Sequence, residues 1–334
     1  MPPMPKPTYS DIAARASVGT ATVERVLNGR GGVREVLVEQ VVRAARALDW
    51  PGRLPERHRG ILRVDVLLVR PESSFFARLA AAFRRIGATL DPVVQLHVTF
   101  LDENDPEAIA ARIAKPSMRR AGLILAVQDA APVRAALAQV RAEGTPVVQV
   151  VTRAEAETDF VGIDNYAAGR MAGLMMARLG AVRGPVVALC HSHVYEVHRA
   201  RIKGFSEYLA GQGGTVDFVH VAYGLDNRDV SARRMREVLA HWPDLAGIYN
   251  AGGANTAVLD VLAHAGREVF FVGHELTDLT RGALETGLAN VIFDQLPEAQ
   301  ARRGIDVMLA ALGLLDEAVD NAPIRFSTIT AENL

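Results

Sequence analysis

From residue 62 onward, short continuous apolar runs alternate with longer segments whose apolar residues recur at helical spacing, and few architectures satisfy that pattern. VDVLLV (64–69), VVQLHVTF (93–100), GLILAV (122–127), PVVQVV (146–151), PVVALC (185–190), VDFVHVA (216–222), LAGIYN (245–250), VFFVG (269–273) and LANVIF (288–293) read as buried strands. Segments such as FFARLAAAFRRIG (75–87) and AAGRMAGLMMARLG (167–180) read as the helices between them. Continuous apolar strands that alternate with helices require parallel sheets covered on both faces, an α/β doubly wound arrangement. About 270 residues of this pattern exceed one typical sheet, so two lobes are expected.

Residues 8 to 50 follow a different pattern, that of an all-α domain of three short helices. Thr8 and Asp11 in TYSDIAARA have capping-box spacing, and Ile12, Ala13 and Ala16 form an apolar face behind them. The SVG turn follows, with Gly19 supplying conformational freedom. A second helix, 20–27, turns Val23, Val26 and Leu27 to one side and leaves Thr20, Ala21, Glu24 and Arg25 on the other. Asn28 and Gly29 end it, and Val38, Val41, Val42, Ala45 and Leu48 mark a third helix. WPGRLPERHRG, rich in Pro, Gly and Arg, reads as a linker over 51–61.

Charge separates the two regions. Residues 1–60 hold ten Lys and Arg against six Asp and Glu, a balance of +4, which leaves −5 for the rest of a chain whose net charge is −1. A basic helical segment joined to an acidic body suits a nucleic-acid reader attached to a domain that stays off the polyanion. An arginine on the exposed face of a groove-sized helix, here Arg25, can hold guanine O6 and N7, while Thr20 and Ala21 are small enough to let the helix approach a thymine methyl. The single Cys190 excludes an internal disulfide, and no segment approaches the length of a membrane span or a signal peptide, so a cytoplasmic location and no membrane partner are expected.

TYSDIAARASVGTATVERVLNG resembles the amino-terminal signature of the LacI/GalR family of bacterial repressors, with Thr8, Asp11, Ile12, Ala13, Ala16, Val18, Thr22, Val23, Arg25, Val26, Leu27 and Asn28 in register. The resemblance implies a helix-turn-helix reader at 8–50 that docks on operator DNA through Thr8, Thr20, Ala21, Thr22, Arg25 and Asn28, a hinge linker, and a homodimer matched to a near-palindromic site. Ser17 stands where the family usually has Gly, Gly19 where it has a capping Ser, and Glu24, which would repel a phosphate, where it has a second Ser. In the linker the family's hinge-helix positions hold Arg53, Glu56 and Arg59, with Pro55 between the first two, so no leucine wedge into the minor groove is expected.

The same resemblance implies that residues 62–334 form a two-lobed, periplasmic-binding-protein-like domain of type I. Its lobes are expected at about 62–162 plus 294–322 and about 163–293 plus 323–334. By position it nominates Phe75, Phe76, Arg153, Asp164, Asn165, Arg201, Asn250, Glu275 and Gln295 as contacts for a small carbohydrate-like effector: a sugar, polyol or sugar acid. Carboxylates, amides and guanidinium groups take paired hydrogen bonds from vicinal hydroxyls, aromatic rings cover C–H faces, and strand ends are where open parallel sheets bind ligands. Thr152 and Ala126 stand where sugar binders often carry Asp and Asn. Cys190, His191, His193 and His198 cluster without zinc spacing, and HELTD (274–278) lacks the second His of a zinc motif. No P-loop, nucleophile elbow or dinucleotide fingerprint is present, so neither a cofactor, a metal nor catalysis is expected. The competing reading is a solute-binding protein for a sugar importer, which predicts an export signal and no DNA reader.

Overall fold

Thr8 closes the first helix as its spacing predicts. In the computed structural model, which describes residues 7–52, 61–179, 183–212, 216–315 and 317–334, α1 spans Tyr9–Ala16, α2 Thr20–Leu27 and α3 Glu35–Ala47. The Thr8 hydroxyl oxygen accepts from the Asp11 N–H at 3.3 Å, and the Asp11 carboxylate accepts from the Thr8 N–H at 2.7 Å. One detail of the turn is corrected: the left-handed residue is Ser17 (φ 52°), whereas Gly19 is extended (φ −73°). Ser17 occupies the strained position that glycine fills without cost, which explains why the related signature has Gly there. Ile12, Ala13, Ala16, Val23, Val26, Val41, Val42 and Ala45 are buried together, and Tyr9 packs on Trp50 at 5.3 Å. With each buried Val or Ile contributing about 1.5–3 kcal/mol, these few side chains carry the unit. Arg53, Pro55, Glu56 and Arg59 of the hinge lie outside the described residues.

The body begins at Ile61. Its first sheet is built from β1 (Leu62–Val69), β2 (Val94–Leu101), β3 (Gly122–Leu125), β4 (Val147–Val150) and β5 (Asp159–Val161), in the order β2-β1-β3-β4-β5 and parallel throughout. Between them run α4 (Ser74–Gly87), α5 (Pro106–Ala114) and α6 (Ala131–Ala142). After β5 the chain enters α7 (Asn165–Leu179) and a second sheet formed by β6 (Gly184–Cys190), β7 (Val216–Tyr223), β8 (Gly247–Asn250), β9 (Phe270–His274), β10 (Val291–Asp294) and β11 (Ser327–Ile329). Its order is β11-β10-β9-β8-β6-β7, with α8 (Glu196–Ala210), α9 (Arg228–His241), α10 (Asn255–Ala263) and α11 (Asp278–Glu285) as its crossovers.

The chain crosses between the sheets three times. After β10, α12 (Pro297–Ala311) returns to the first sheet and packs on α4 and β4, and the carboxyl end then adds β11 antiparallel to β10. Alternate residues of the second sheet feed two cores, Val187, Leu189, Ile248, Phe271 and Ile292 on one face and Val186, Ala188, Tyr249, Val272 and Phe293 on the other. That is the two-sided burial expected of continuous apolar strands.

Two departures from the sequence expectation concern edges. VVQLHVTF and VDFVHVA form β2 and β7 at the sheet margins, where most of their residues are partly or well exposed. The three-residue strands β5 and β11 were not expected, being too short to carry periodicity. One packing feature positions the site. Gly169 of α7 and Gly204 of α8 let the two backbones touch: a Cβ on Gly169 would lie 2.0 Å from the Arg201 carbonyl oxygen, and one on Gly204 2.1 Å from that of Tyr166. Only glycine permits this crossing, and Arg201, whose backbone makes it, lines the space between the lobes.

Candidate functional site

A cleft of about 890 Å³ opens between the two sheets of the body. Its walls are the residues that follow strand ends: Arg70 after β1, Glu103 after β2, Val151 and Thr152 after β4, His191 after β6, Asp226 after β7, Glu275 after β9 and Gln295 after β10. Open parallel sheets present ligand sites at these carboxyl ends. Thr152 Oγ1, His198 Nδ1, His274 Nδ1 and Glu275 Oε2 are buried there without a hydrogen-bond partner. Unpaired buried polar atoms cost about 1–3 kcal/mol each, and a ligand rich in hydroxyls would satisfy them. A smaller depression of about 470 Å³ beside Arg141 and Thr158 is lined by none of these atoms.

Arg201 anchors the deep end. Its Nε donates to Asn165 Oδ1 (2.9 Å), Nη1 to the Ala251 carbonyl (2.7 Å) and Nη2 to Gln295 Oε1 (2.5 Å). Gln295 in turn donates from Nε2 to Glu275 Oε1, so one amide bridges a buried cation and a buried carboxyl. Burial, with Asp294 nearby, pushes the Glu275 carboxyl up to about 8, only partly opposed by Gln295, Arg201 and Arg78. Burial pulls the His198 imidazole down to about 3 and that of His274 well below its ordinary value, so both are neutral acceptors or donors.

The other nominated residues fall unevenly. Phe75 and Phe76 begin α4, are buried edge to face at 5.4 Å and line the cleft. Asn165 stands behind Arg201, and Asn250 is buried beside the cleft, donating to Asn255 Oδ1 (2.7 Å) and the Gly253 carbonyl (2.8 Å). Neither Asn165 nor Asn250 lines the cleft itself, and two further nominations lie outside it altogether. Val151 and Thr152 turn inward, so Arg153 emerges exposed and stacks on Phe160 at 4.7 Å. Asp164 is exposed and its carboxylate caps α7, accepting from the Ala167 N–H at 2.8 Å.

His191 lies beyond the end of β6 and faces Glu103 at 3.5 Å, while His193 is exposed against Tyr223. Among the described residues no group of His, Cys, Asp and Glu is arranged to hold a metal. Arg70, Glu103, Tyr195, His198 and Asp226 line the cleft and were missed by sequence reasoning. Arg70, Glu103 and Asp226 each lie within three residues of an apolar run or strand end, and that position was the available signal.

At the amino end, Thr8, Thr20, Ala21, Arg25 and Asn28 are exposed and Thr22 is partly buried. The Thr8 hydroxyl is engaged with Asp11. Arg25 Nη2 donates to the Gly31 carbonyl at 3.1 Å, a single exposed bond that leaves the rest of the guanidinium free to reach outward. Glu24 pairs with Arg30 at 3.3 Å, which offsets the repulsion its charge would exert on a phosphate.

Residues 66–314 match the model of the periplasmic binding protein domain, and residues 8–51 match that of bacterial regulatory proteins of the lacI family. The chain belongs to the periplasmic binding protein domain family, and its amino-terminal unit carries a lacI-family domain. It is a DNA-binding transcriptional regulator with an effector-binding body. Among curated relatives, the chain is 28% identical over 275 residues to the HTH-type transcriptional regulator CelR of Thermobifida fusca, covering 79% of each. It is 29% identical over 212 residues to the regulator MalR of Streptomyces coelicolor, covering 61% of this chain and 60% of that one. Its fold matches a periplasmic solute binding protein of an ABC transporter from Actinobacillus succinogenes 130z with bound D-allose. There the TM-score is 0.72 at 16% identity, over 81% of this chain and 98% of that one.

The raised Glu275 has a consequence for stability. Between the ordinary carboxylate range and about pH 8 the folded chain keeps a proton that the unfolded chain has released, so stability falls as pH rises through that window. Glu275→Gln cannot ionise and keeps an acceptor for Gln295. The variant is expected to melt above the wild type at pH 8.5, with the gap narrowing toward pH 5, in thermal denaturation without ligand. A gap that stays constant with pH would contradict the assignment.

Proposed function

We propose that the protein is a homodimeric cytoplasmic repressor in which the α2 helices of two copies read a near-palindromic operator and the cleft senses a neutral sugar or polyol. One observation carries the effector reading: buried polar atoms without partners converge at the strand ends of the same chain that bears a lacI-family reader. The neutral class follows from charge. The described lining residues include four carboxylate residues, Glu72, Glu103, Asp226 and Asp278, besides Glu275, which keeps its proton at neutral pH, against three arginines, and the donors of Arg201 are largely spent on the protein. A sugar acid, left open while Arg153 counted as a cleft residue, would enter against that excess. Arg25, Thr20, Ala21, Thr22 and Asn28 are the base and backbone contacts of this reading, with two-fold operator symmetry mirroring the dimer.

Two measurements on the full chain test it. Selection from random duplexes is expected to enrich sequences with two symmetric half-sites, and a thermal-shift panel is expected to single out neutral sugars or polyols. A ligand at a hundred times its Kd adds about 2.7 kcal/mol of stability. Enrichment no better than random, or shifts produced by sugar acids alone, would contradict the proposal.

A further inference from the structure

A side chain of the protein already fills one slot of the cleft. Arg70 leaves β1 with φ 52°, a left-handed conformation uncommon for a residue with a side chain, and its guanidinium lies between two rings. Cζ is 5.1 Å from the Phe76 ring centroid and 5.4 Å from that of Tyr195. At its edge, Nη1 donates to Asp226 Oδ2 and Nε is 3.5 Å from Glu103 Oε2. Both carboxylates are held in place: Asp226 Oδ1 accepts from the Gly253 N–H at 2.7 Å, and Glu103 Oε2 accepts from the Tyr195 hydroxyl at 2.6 Å.

These groups come from opposite sides of the cleft. Arg70, Phe76 and Glu103 follow strands of the first sheet, whereas Tyr195 and Asp226 follow strands of the second. Two rings and two carboxylates make a box suited to a planar cation, since a guanidinium face is attracted to aromatic rings and its edge to carboxylate oxygens. Burial works against the Arg70 charge, but Asp226, Tyr195 and Glu103 outweigh it and its pKa is raised. Burial likewise opposes the charge on Asp226, and Arg70 with the Gly253 N–H outweighs it and lowers its pKa. Burial opposes the charge on Glu103 as well, and His191, Tyr195 and Arg70 outweigh it and lower its pKa, so all three groups are charged at neutral pH.

We propose that Arg70 is a tethered occupant of the cleft, a latch that draws the two lobes together before any effector binds. Closure in other two-lobed folds is driven by a ligand with contacts to both sides; here a side chain makes those contacts. The closed arrangement is therefore populated in the free protein. An effector that enters the slot between Phe76 and Tyr195 must displace Arg70, so it re-sets an existing closure instead of creating one. The inference holds whichever molecule the cleft accepts.

Distance measurement in the full chain tests this without DNA or effector. Spin labels are placed on cysteines introduced at exposed Glu107 of α5 and exposed Arg236 of α9, and labelled chains are diluted in unlabelled ones. The native Cys190 is buried, with its thiol pushed up to about 12, and does not compete for the label. In an Arg70→Gly background, where glycine keeps the left-handed backbone, the distance distribution is expected to shift to longer values and broaden. Methylguanidinium, which can lie in the emptied box, is expected to restore the short distance in a concentration-dependent way. Asp226→Asn is expected to lengthen the distance as well. An Arg70→Gly distribution equal to that of the wild type, or a lengthened one that methylguanidinium leaves unchanged, would overturn the proposal. Neither outcome bears on operator recognition, which the duplex selection tests separately.

Discussion

Replacing Arg201 with alanine is expected to lower the stability of the body by about 3–5 kcal/mol and to abolish the effector response. The size follows from what the guanidinium holds. Its three hydrogen bonds join α8 to Asn165 of α7, to the Ala251 carbonyl after β8 and to Gln295 after β10. Hydrogen bonds to charged groups contribute about 1.5–3 kcal/mol each, and truncation leaves their buried partners unpaired. Urea denaturation of the full chain measures the loss, and effector titration at a temperature where the variant stays folded measures the response. A variant within about 1 kcal/mol of the wild type would mean that Arg201 is not the keystone described here. Because the bonds to protein already occupy this arginine, lost binding alone would not separate ligand contact from support. Glu275→Gln, with its opposite effect on stability, supplies that separation.

The second large effect is at the other end of the chain. Arg25→Ala is expected to cost about 1–3 kcal/mol at one base pair of each half-site, roughly a fivefold to 150-fold loss of discrimination there. In the free protein the side chain rests on the Gly31 carbonyl through one exposed bond. That contact is weak enough to be exchanged for two bonds to a guanine edge. A panel of duplexes, each with one base pair changed and all measured at the same salt, reads the result. If affinity falls equally on every duplex and the salt slope drops by about one, Arg25 touches only phosphate.

Much of the fold was legible because burial on both faces writes itself into a strand as an unbroken apolar run. The runs ending at Val69, Val151, Cys190 and Asn250 all became central strands. Edge strands are less legible: β2 and β7 looked equally apolar but stand half-exposed at the margins, and β5 and β11 are too short to show a period.

The cleft was legible where one position suffices. Arg201, Glu275 and Gln295 each follow a recognisable local pattern, and the structure joins them in one chain of hydrogen bonds. Arg153 and Asp164 failed for a reason of register: the residue beside each turns inward and leaves them outside. Arg70 and Asp226 could not be paired from sequence. They lie 156 residues apart, and only the facing of two sheets brings them together.

In the proposed function, occupation of the cleft and affinity for the operator are one linked equilibrium. Coupling of this kind is reciprocal and typically amounts to about 1–3 kcal/mol. The decisive measurement titrates the selected operator duplex with and without the sugar or polyol found in the thermal-shift panel, then titrates that ligand with and without the duplex. Both affinities are expected to change by the same factor, fivefold or more on that scale. Equal operator affinity in the presence and absence of a saturating cleft ligand would contradict it.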